Sequence, residues 1–410
     1  MEKLLNTPEL RFPEFEGEWE KDLLKSYTSL ITKGTTPFSF SEKGINFIKI
    51  ECFEENRINK HKCLFINEQV HFKELKRSIL KESDILFAIA GATIGKANIV
   101  TADILPANTN QALAIVRLIN LEHLNFIFQV LKSEIMQKYI NDSISVGAQP
   151  NLNLEQLGNF PFYIPGFPEQ QKIAQFLSSV DEKIQALKKK KSLLEQYKKG
   201  MMQKIFSQEL RFKDENGNEF PEWEEKTLGD IARRVTRKNK IGNINVLTIS
   251  AQHGLVSQLD FFNKSVSAKD LSGYYLLNQG EFAYNKSYSK GYPMGAIKQL
   301  KKYDSGVVST LYICFSFIEE IDLQYMEHFF ESGTFNQELE IVAQEGARNH
   351  GLLNIGLDDF FNCYIKLPSL NEQTKIANFL DILDIKIEQV SNQLAKMEQW
   401  KKGLLQKMFV

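Results

Sequence analysis

Residues 168–206 of this chain return, without a gap, as residues 371–409. Glu169-Gln170 is matched by Glu372-Gln373, and Lys172-Ile173-Ala174 by Lys375-Ile376-Ala377. Asp181, Lys183 and Ile184 are matched by Asp384, Lys386 and Ile387, and Lys198-Lys199-Gly200 by Lys401-Lys402-Gly403. The offset is 203 residues from Glu169 to Glu372 and still 203 from Gly200 to Gly403. A match that keeps register over this length means one structural unit used twice. Everything else in the chain must fit around two equivalent placements of it.

Both copies read as long helices. Ile173, Leu177, Val180, Ile184, Leu187, Leu194 and Met201 follow alternating steps of four and three, with longer gaps where Lys191 and Lys198 occupy seam positions. Ile376, Leu380, Leu383, Ile387, Val390, Leu394, Met397 and Leu404 occupy the equivalent places in the second copy. That is a heptad seam of about five heptads, as in a coiled coil. A helix of about 35 residues is roughly 50 Å long. The seam is too narrow for a globular core, so the economical partner for each copy is the other.

Ahead of each helix lies a block without that periodicity. At 410 residues the chain is too long for one ordinary core. The organisation expected is 1–165 globular, 166–209 helical, 210–367 globular and 368–410 helical. The fold class expected is α+β or α/β heads joined by two long antiparallel coiled-coil helices in a cyclic, pseudo-two-fold repeat. Short β-branched and aromatic runs at 46–50, 84–89, 112–118, 246–250, 306–317 and 363–367 read as strands. Stretches 122–139 and 323–343 read as helices. The heads match each other weakly. Leu10-Arg11-Phe12 with Trp19 parallels Leu210-Arg211-Phe212 with Trp223, and Gly147-Ala148 resembles Gly346-Ala347. The strip after the first helix thus resembles the start of the chain, so reading past Phe409 and re-entering at Met1 continues the repeat. Near-identical connectors with divergent heads suggest one scaffold that presents two recognition surfaces.

These features together resemble the specificity subunit of type I restriction-modification systems. The resemblance is carried by the helix starts 168–174 and 371–377, by the helix ends 198–206 and 401–409, and by the Leu-Arg-Phe to Glu-Trp opening of each half. It implies that each head is a target recognition domain reading one half of a split, asymmetric site on double-stranded DNA. It also implies that the helices space the heads and dock two methyltransferase subunits, and that motor-nuclease subunits join through the complex. S-adenosylmethionine and ATP with magnesium would then be bound by those partners, with no cofactor and no metal on this chain. Two half-sites read from one face of a duplex lie about 34–36 Å apart. A rigid helix can fix such a gap, whereas a flexible Gly/Ser linker cannot.

The net charge of −1 gives no global attraction to nucleic acid, so contacts must come from local patches. In the first head, Lys33, Thr35 and Thr36 form a turn able to meet phosphate, or simply a loop. Lys96 closes a Gly-rich turn that is not a Walker loop, because three residues rather than four separate Gly91 from Gly95 and Ala97 follows the lysine. Asn108, Asn110 and Gln111 offer amides suited to adenine, or form a polar turn. In the second head, Arg233, Arg234, Arg237, Lys238 and Lys240 put five cations into eight residues. Tyr284, Asn285, Lys286, Tyr288 and Lys290 mix aromatic and polar groups, and Arg348 and Asn349 follow Gly346-Ala347. The lysine run 188–191 of the first helix either tracks phosphates or is a solvated face; the second helix has no such run.

No catalytic motif stands out. There is no Pro-Pro pair, GxSxG, HExxH or dinucleotide fingerprint, which argues against a self-sufficient restriction enzyme. The histidines lack metal-ligand spacing, and the four cysteines form no CxxC pair and fit reduced thiols in a cytoplasm. No apolar run is long enough for a membrane span. The competing reading is a coiled-coil scaffold whose heads bind proteins rather than DNA.

Overall fold

The computed structural model describes residues 6–54, 56–143, 151–250, 254–259, 270–289, 291–318, 320–343 and 353–410. It divides into two compact units. The first comprises residues 1–189 and 391–410, and the second comprises residues 190–390. The division falls inside both long helices, Phe167–Phe206 and Leu370–Lys407. Each unit therefore holds one head, the start of one long helix and the end of the other.

In the first unit an antiparallel four-stranded sheet runs in the order Thr28–Lys33, Leu113–Leu118, Ile85–Ala88, Ala97–Ile99. Strand Ile85–Ala88 is buried at every position, so it has no polar alternation. One face of the sheet, with Phe87, Ala114 and Val116, joins a core with Trp19, Phe126, Ile127 and Leu131. That core also takes in Ile173, Leu177 and Ile184 from the start of the first long helix, and Leu404, Met408 and Phe409 from the end of the second. The other face, with Leu86, Ala88 and Ile115, covers a smaller core with Ile48, Cys52 and Cys63. Strand Glu20–Leu23 pairs with Pro161–Ile164, just before the long helix begins.

The second unit repeats this plan. Its four-stranded sheet runs Ala232–Arg234, Ile313–Phe317, Phe282–Asn285, Ala296–Gln299, also antiparallel. Strand Glu224–Thr227 pairs with Tyr364–Leu367 ahead of the second long helix. Its main core gathers Phe282, Phe315, Tyr325 and Phe360 with Met202, Ile205 and Phe206 from the end of the first long helix. Ile376, Leu380 and Leu383 come from the start of the second. The heads diverge in sequence yet share strand order, because the pattern of buried positions needs only apolar residues of suitable size.

Most of the expected elements are present, with three differences. The run 306–317 is two strands, Ser305–Val308 and Ile313–Phe317, that pair in different sheets. The helical stretch 323–343 breaks into Leu323–Ser332 and Phe335–Val342 at Gly333, whose φ of +80° ends the first piece as a left-handed cap. Likewise 122–139 divides into Leu124–Leu131 and a second helix, Glu134–Ser143.

Along the long helices, Ile173, Leu177, Val180, Ile184, Leu187, Ile376, Leu380, Leu383, Val390 and Leu404 are buried. Leu194, Met201, Ile387, Leu394 and Met397 are half-buried. In the first unit the start of the first helix lies beside the end of the second. Lys401 bonds the Asp181 carboxylate, Lys188 pairs with Glu398 at 2.7 Å, and the rings of Phe176 and Trp400 meet edge-on at 5.8 Å. In the second unit the roles exchange, and Lys198 donates to both oxygens of Asp384 at 2.6 Å. Lys198 and Lys401 are repeat mates, as are Asp181 and Asp384.

The Leu-Arg-Phe openings serve this scaffold. Arg11 forks onto the Glu169 carboxylate at 2.8 and 2.7 Å, and Arg211 onto Glu372 at 3.3 and 2.8 Å. Both carboxylates are buried in the first turn of a long helix, where the helix dipole favours a negative charge. Each glutamate in turn holds its arginine guanidinium above the usual value, chiefly through these hydrogen bonds. Leu210 N–H donates to Lys204 O at 3.0 Å along the chain, and Leu10 N–H donates to Lys407 O at 2.8 Å across the termini. The cyclic pattern of the sequence is thus a hydrogen-bonded contact. Among the described residues, no helix is long and apolar enough to cross a membrane.

Candidate nucleic-acid interface

In the first unit the edge strand Thr28–Lys33 runs into a loop that folds over residues 109–111. Gly34 is obligatory at the crossing, because a Cβ there would lie 1.8 Å from Thr109 O. Thr36 Oγ1 donates to Gln111 Oε1 at 2.6 Å, and Pro37 is buried. A third segment, not singled out in the sequence, completes the cluster. Arg77 donates to Thr35 Oγ1 at 3.4 Å, and Glu74 Oε1 accepts from Phe38 N–H at 3.1 Å. Lys33, Lys73, Lys76 and Arg77 are exposed there, interleaved with Phe38 at 99% exposure and Phe72 at 60%. Cations beside open aromatic faces are the combination that holds phosphates and stacks on bases. The signal for this segment was present in the sequence as Phe72-Lys73 and Lys76-Arg77, but its lack of periodicity concealed it.

Two expected residues of this head stand elsewhere. Asn108 is fully buried. Its amide donates to Leu75 O at 3.0 Å and Ser78 Oγ at 3.2 Å, and its oxygen meets His71 Nδ1. The amide donor and the carbonyl oxygen that an adenine contact needs are both consumed in pinning segment 70–78 to strand Ala107–Thr109. Asn110 keeps a partly exposed side chain, with its oxygen accepting from Ala112 N–H at 3.2 Å. Lys96 is exposed on the turn between strands Ile85–Ala88 and Ala97–Ile99. Neighbouring Gly95 faces Gln137 and Ile140, not the cluster above.

The second unit uses the same connection, from its edge strand Ala232–Arg234 onward. Of the five clustered cations, Arg237 grips Glu281 at 2.7 Å, while Lys238 donates to Gly273 O at 2.7 Å and lies 4.4 Å from the Tyr275 ring centroid. Arg234 reaches Tyr275 Oη at 3.3 Å, and Arg233 folds back onto Gly229 O and Ala232 O. Lys240 is exposed at the loop that follows. Asparagines clasp that loop: Asn239 Nδ2 donates to Asn243 O and Asn239 Oδ1 accepts from Asn243 N–H, both at 2.8 Å. Asn243 Nδ2 donates to Ser305 Oγ at 2.9 Å. Ile241 and Ile244 stand out from it at 70% and 81% exposure.

Tyr284 belongs to the core rather than to a surface. It is fully buried, stacks on Phe360 at 5.0 Å, and donates to Met294 O at 2.8 Å. Burial of this kind pushes its phenol well above the ordinary value. Next to it, Asn285 Oδ1 accepts from Ser287 N–H at 3.1 Å and Lys286 reaches Ile355 O at 3.3 Å, while Tyr288 is exposed. Lys290, Arg348 and Asn349 lie outside the described residues, as do Gly147-Ala148 and Gly346-Ala347.

Among the described residues one group of possible metal ligands occurs: His328, Asp381 and Asp384. The Lys198 ammonium on Asp384 already supplies a countercharge, and His328 Nε2 lies 2.8 Å from Asp381. Burial, with Lys198 nearby, holds His328 below its usual value against the pull of the aspartates. In the first helix, Lys191 pairs with Glu195 at 3.8 Å, while Lys189 and Lys190 are exposed.

The chain matches the family model described as the type I restriction modification DNA specificity domain twice, over residues 17–196 and 221–399. Two curated relatives come from Methanocaldococcus jannaschii. One, assigned as the MjaX type I restriction enzyme specificity subunit, is 28% identical over 229 residues, which is 53% of this chain and 53% of the relative. The type I restriction enzyme MjaVIII specificity subunit is 26% identical over 209 residues, 50% of this chain and 49% of the relative. The chain thus spans about half the length of these curated relatives. In fold it is similar to the crystal structure of a type I restriction-modification system S subunit from M. genitalium. The TM-score is 0.55 at 16% identity, covering 98% of this chain and 99% of that one.

Proposed function

The chain belongs to the type I restriction modification DNA specificity family, and from that premise we propose that it is the non-catalytic, sequence-reading subunit of a type I restriction-modification complex. Each unit reads one half of a bipartite, asymmetric site on duplex DNA. The observation that carries this reading is the double family match, one copy per head, on heads that share strand order but differ in surface chemistry. In the first head the reading surface is the Lys33–Gln111–Arg77 cluster. In the second it is the loop after Ala232–Arg234, with Arg233, Arg234 and Lys240.

The long helices are the spacer in this proposal. They pair as an antiparallel coiled coil, set the spacing of the two half-sites in the recognised DNA at about one helical turn, and dock two methyltransferase subunits, to which motor-nuclease subunits add. The repeat-mate pairs Lys401–Asp181 and Lys198–Asp384 support this pairing. Methyl transfer from S-adenosylmethionine to an adenine, and ATP-driven cleavage of unmodified DNA, are the work of those partners. A protein-binding scaffold would share the helices but not the cations beside open aromatic faces.

Salt dependence tests the proposal. Binding of the assembled specificity–methyltransferase complex to duplex DNA should weaken steeply between 50 and 200 mM salt, by roughly a thousandfold or more if six or more phosphates are neutralised. An affinity that stays flat over that range would overturn it.

A further inference from the structure

In each unit the connection that leaves the sheet's edge strand presents a large apolar side chain to solvent from a loop that is itself tied down. In the first unit that side chain is Phe38, fixed on one side by buried Pro37 and Thr36–Gln111, and on the other by its own N–H on Glu74. In the second it is Ile241, with Ile244 close behind, on a loop closed by Asn239 and Asn243. Each side chain leaves apolar area in water, and the hydrogen bonds that tie its loop hold it in one place. Both occur at the same topological place, each after an exposed lysine of the same connection, Lys33 in one and Lys240 in the other, and the sequences of the two loops are unrelated.

We infer that Phe38 and Ile241 are wedges that enter the base stack of duplex DNA, one in each half-site, unstacking a base step and bending the duplex where each head reads it. The inference rests on the DNA-reading function proposed above. The chemistry is that of minor-groove architectural proteins, where phenylalanine or isoleucine enters between base pairs and flanking cations hold the phosphates. Charge complementarity selects DNA as the occupant: exposed Lys33 opens the loop that carries Phe38, exposed Lys73, Lys76 and Arg77 outnumber Glu74 on the segment that accepts from Phe38 N–H, and Lys240 precedes Ile241. A base step that parts readily then contributes to specificity without any hydrogen bond to its edges.

The test uses the specificity–methyltransferase complex and a duplex carrying the site mapped by methylation sequencing. 2-Aminopurine is placed in turn at successive positions of each half-site, apart from the methylated adenine. Wild type should raise the fluorescence at one step per half-site. Phe38→Ala should abolish the rise in the first half-site only and weaken binding roughly 5- to 150-fold, while Phe38→Trp should keep the rise. Ile241→Ala combined with Ile244→Ala should do the same in the second half-site only. If salt-dependent binding and methylation persist but no step brightens, or if Phe38→Ala keeps its signal, the wedge is wrong and the DNA-reading function stands. If the wild-type complex neither binds duplex nor directs methylation, the underlying reading itself has failed. Loss of partner assembly in Phe38→Ala with unchanged 2-aminopurine emission would place a protein on this surface and overturn the inference.

Discussion

Arg11 and Arg211 show how a short motif is spent on architecture. Each guanidinium joins the opening of a head to a buried glutamate in the first turn of a long helix, and also caps carbonyls of its own loop, Glu16 and Gly17 in one case and Phe220 and Pro221 in the other. Removing one partner strands the other in a dry site. Glu169→Ala should lower stability by about 3 kcal/mol, read as a fall in the urea midpoint at unchanged slope. A change below about 0.5 kcal/mol would mean the pair behaves like a surface ion pair. Lys132 gives a pH signature. Burial, helped by the Lys401 ammonium and opposed by Asp181, lowers it to about 8. Between about pH 8 and 10.5 the unfolded chain binds more protons here than the folded chain, so the lysine's contribution to stability rises with pH across that window. Relative to Lys132→Met, wild type should gain at most about 3 kcal/mol from pH 8 to pH 10.5. A pH-independent difference between the two proteins would contradict the assignment. Single residues were the least legible part of the sequence. Asn108 and Tyr284 have side chains suited to bases, yet their donors are consumed inside the fold, and nothing local distinguishes a buried amide from an exposed one.

At the level of elements, the long helices were legible because a narrow apolar stripe repeated over about five heptads has few other uses. The strands were legible where β-branched runs are buried on both faces, as in Ile85–Ala88. The breaks at Gly333 and between Leu131 and Glu134 were not, because helix periodicity continues across them while the backbone turns. Cluster 70–77 escaped because its short π and 3-10 turns carry no period. If the helices set the spacing, inserting four residues after Lys190, with a matching insertion after its repeat mate Gln393, should lengthen the non-specific spacer of the recognised site. Each insertion adds roughly 6 Å of helix. Methylation mapping of the variant checks this, and an unchanged spacer would show that the helices are not the ruler.

For the whole molecule, the proposed function makes the heads exchangeable parts. Replacing residues 210–367 with the corresponding block of another family member should alter one half of the recognised site and leave the other half and the spacer intact. Alteration of both halves would show that the heads do not read independently. The contact of Leu10 N–H with Lys407 O implies a further tolerance. A circularly permuted chain that starts near residue 210 and joins 410 to 1 should fold and keep its specificity, because a hydrogen bond already holds the two segments that the new junction would link.

The central claim, that two unlike heads on a twinned scaffold read one split DNA site, is tested most directly by sequencing genomic methylation in cells with and without this chain, its methyltransferase partner being present in both. The expected result is one bipartite motif, two unlike half-sites about a DNA turn apart, methylated on adenine only when the chain is present. Methylation at a short continuous motif, or a methylation pattern indifferent to the chain, would contradict the account.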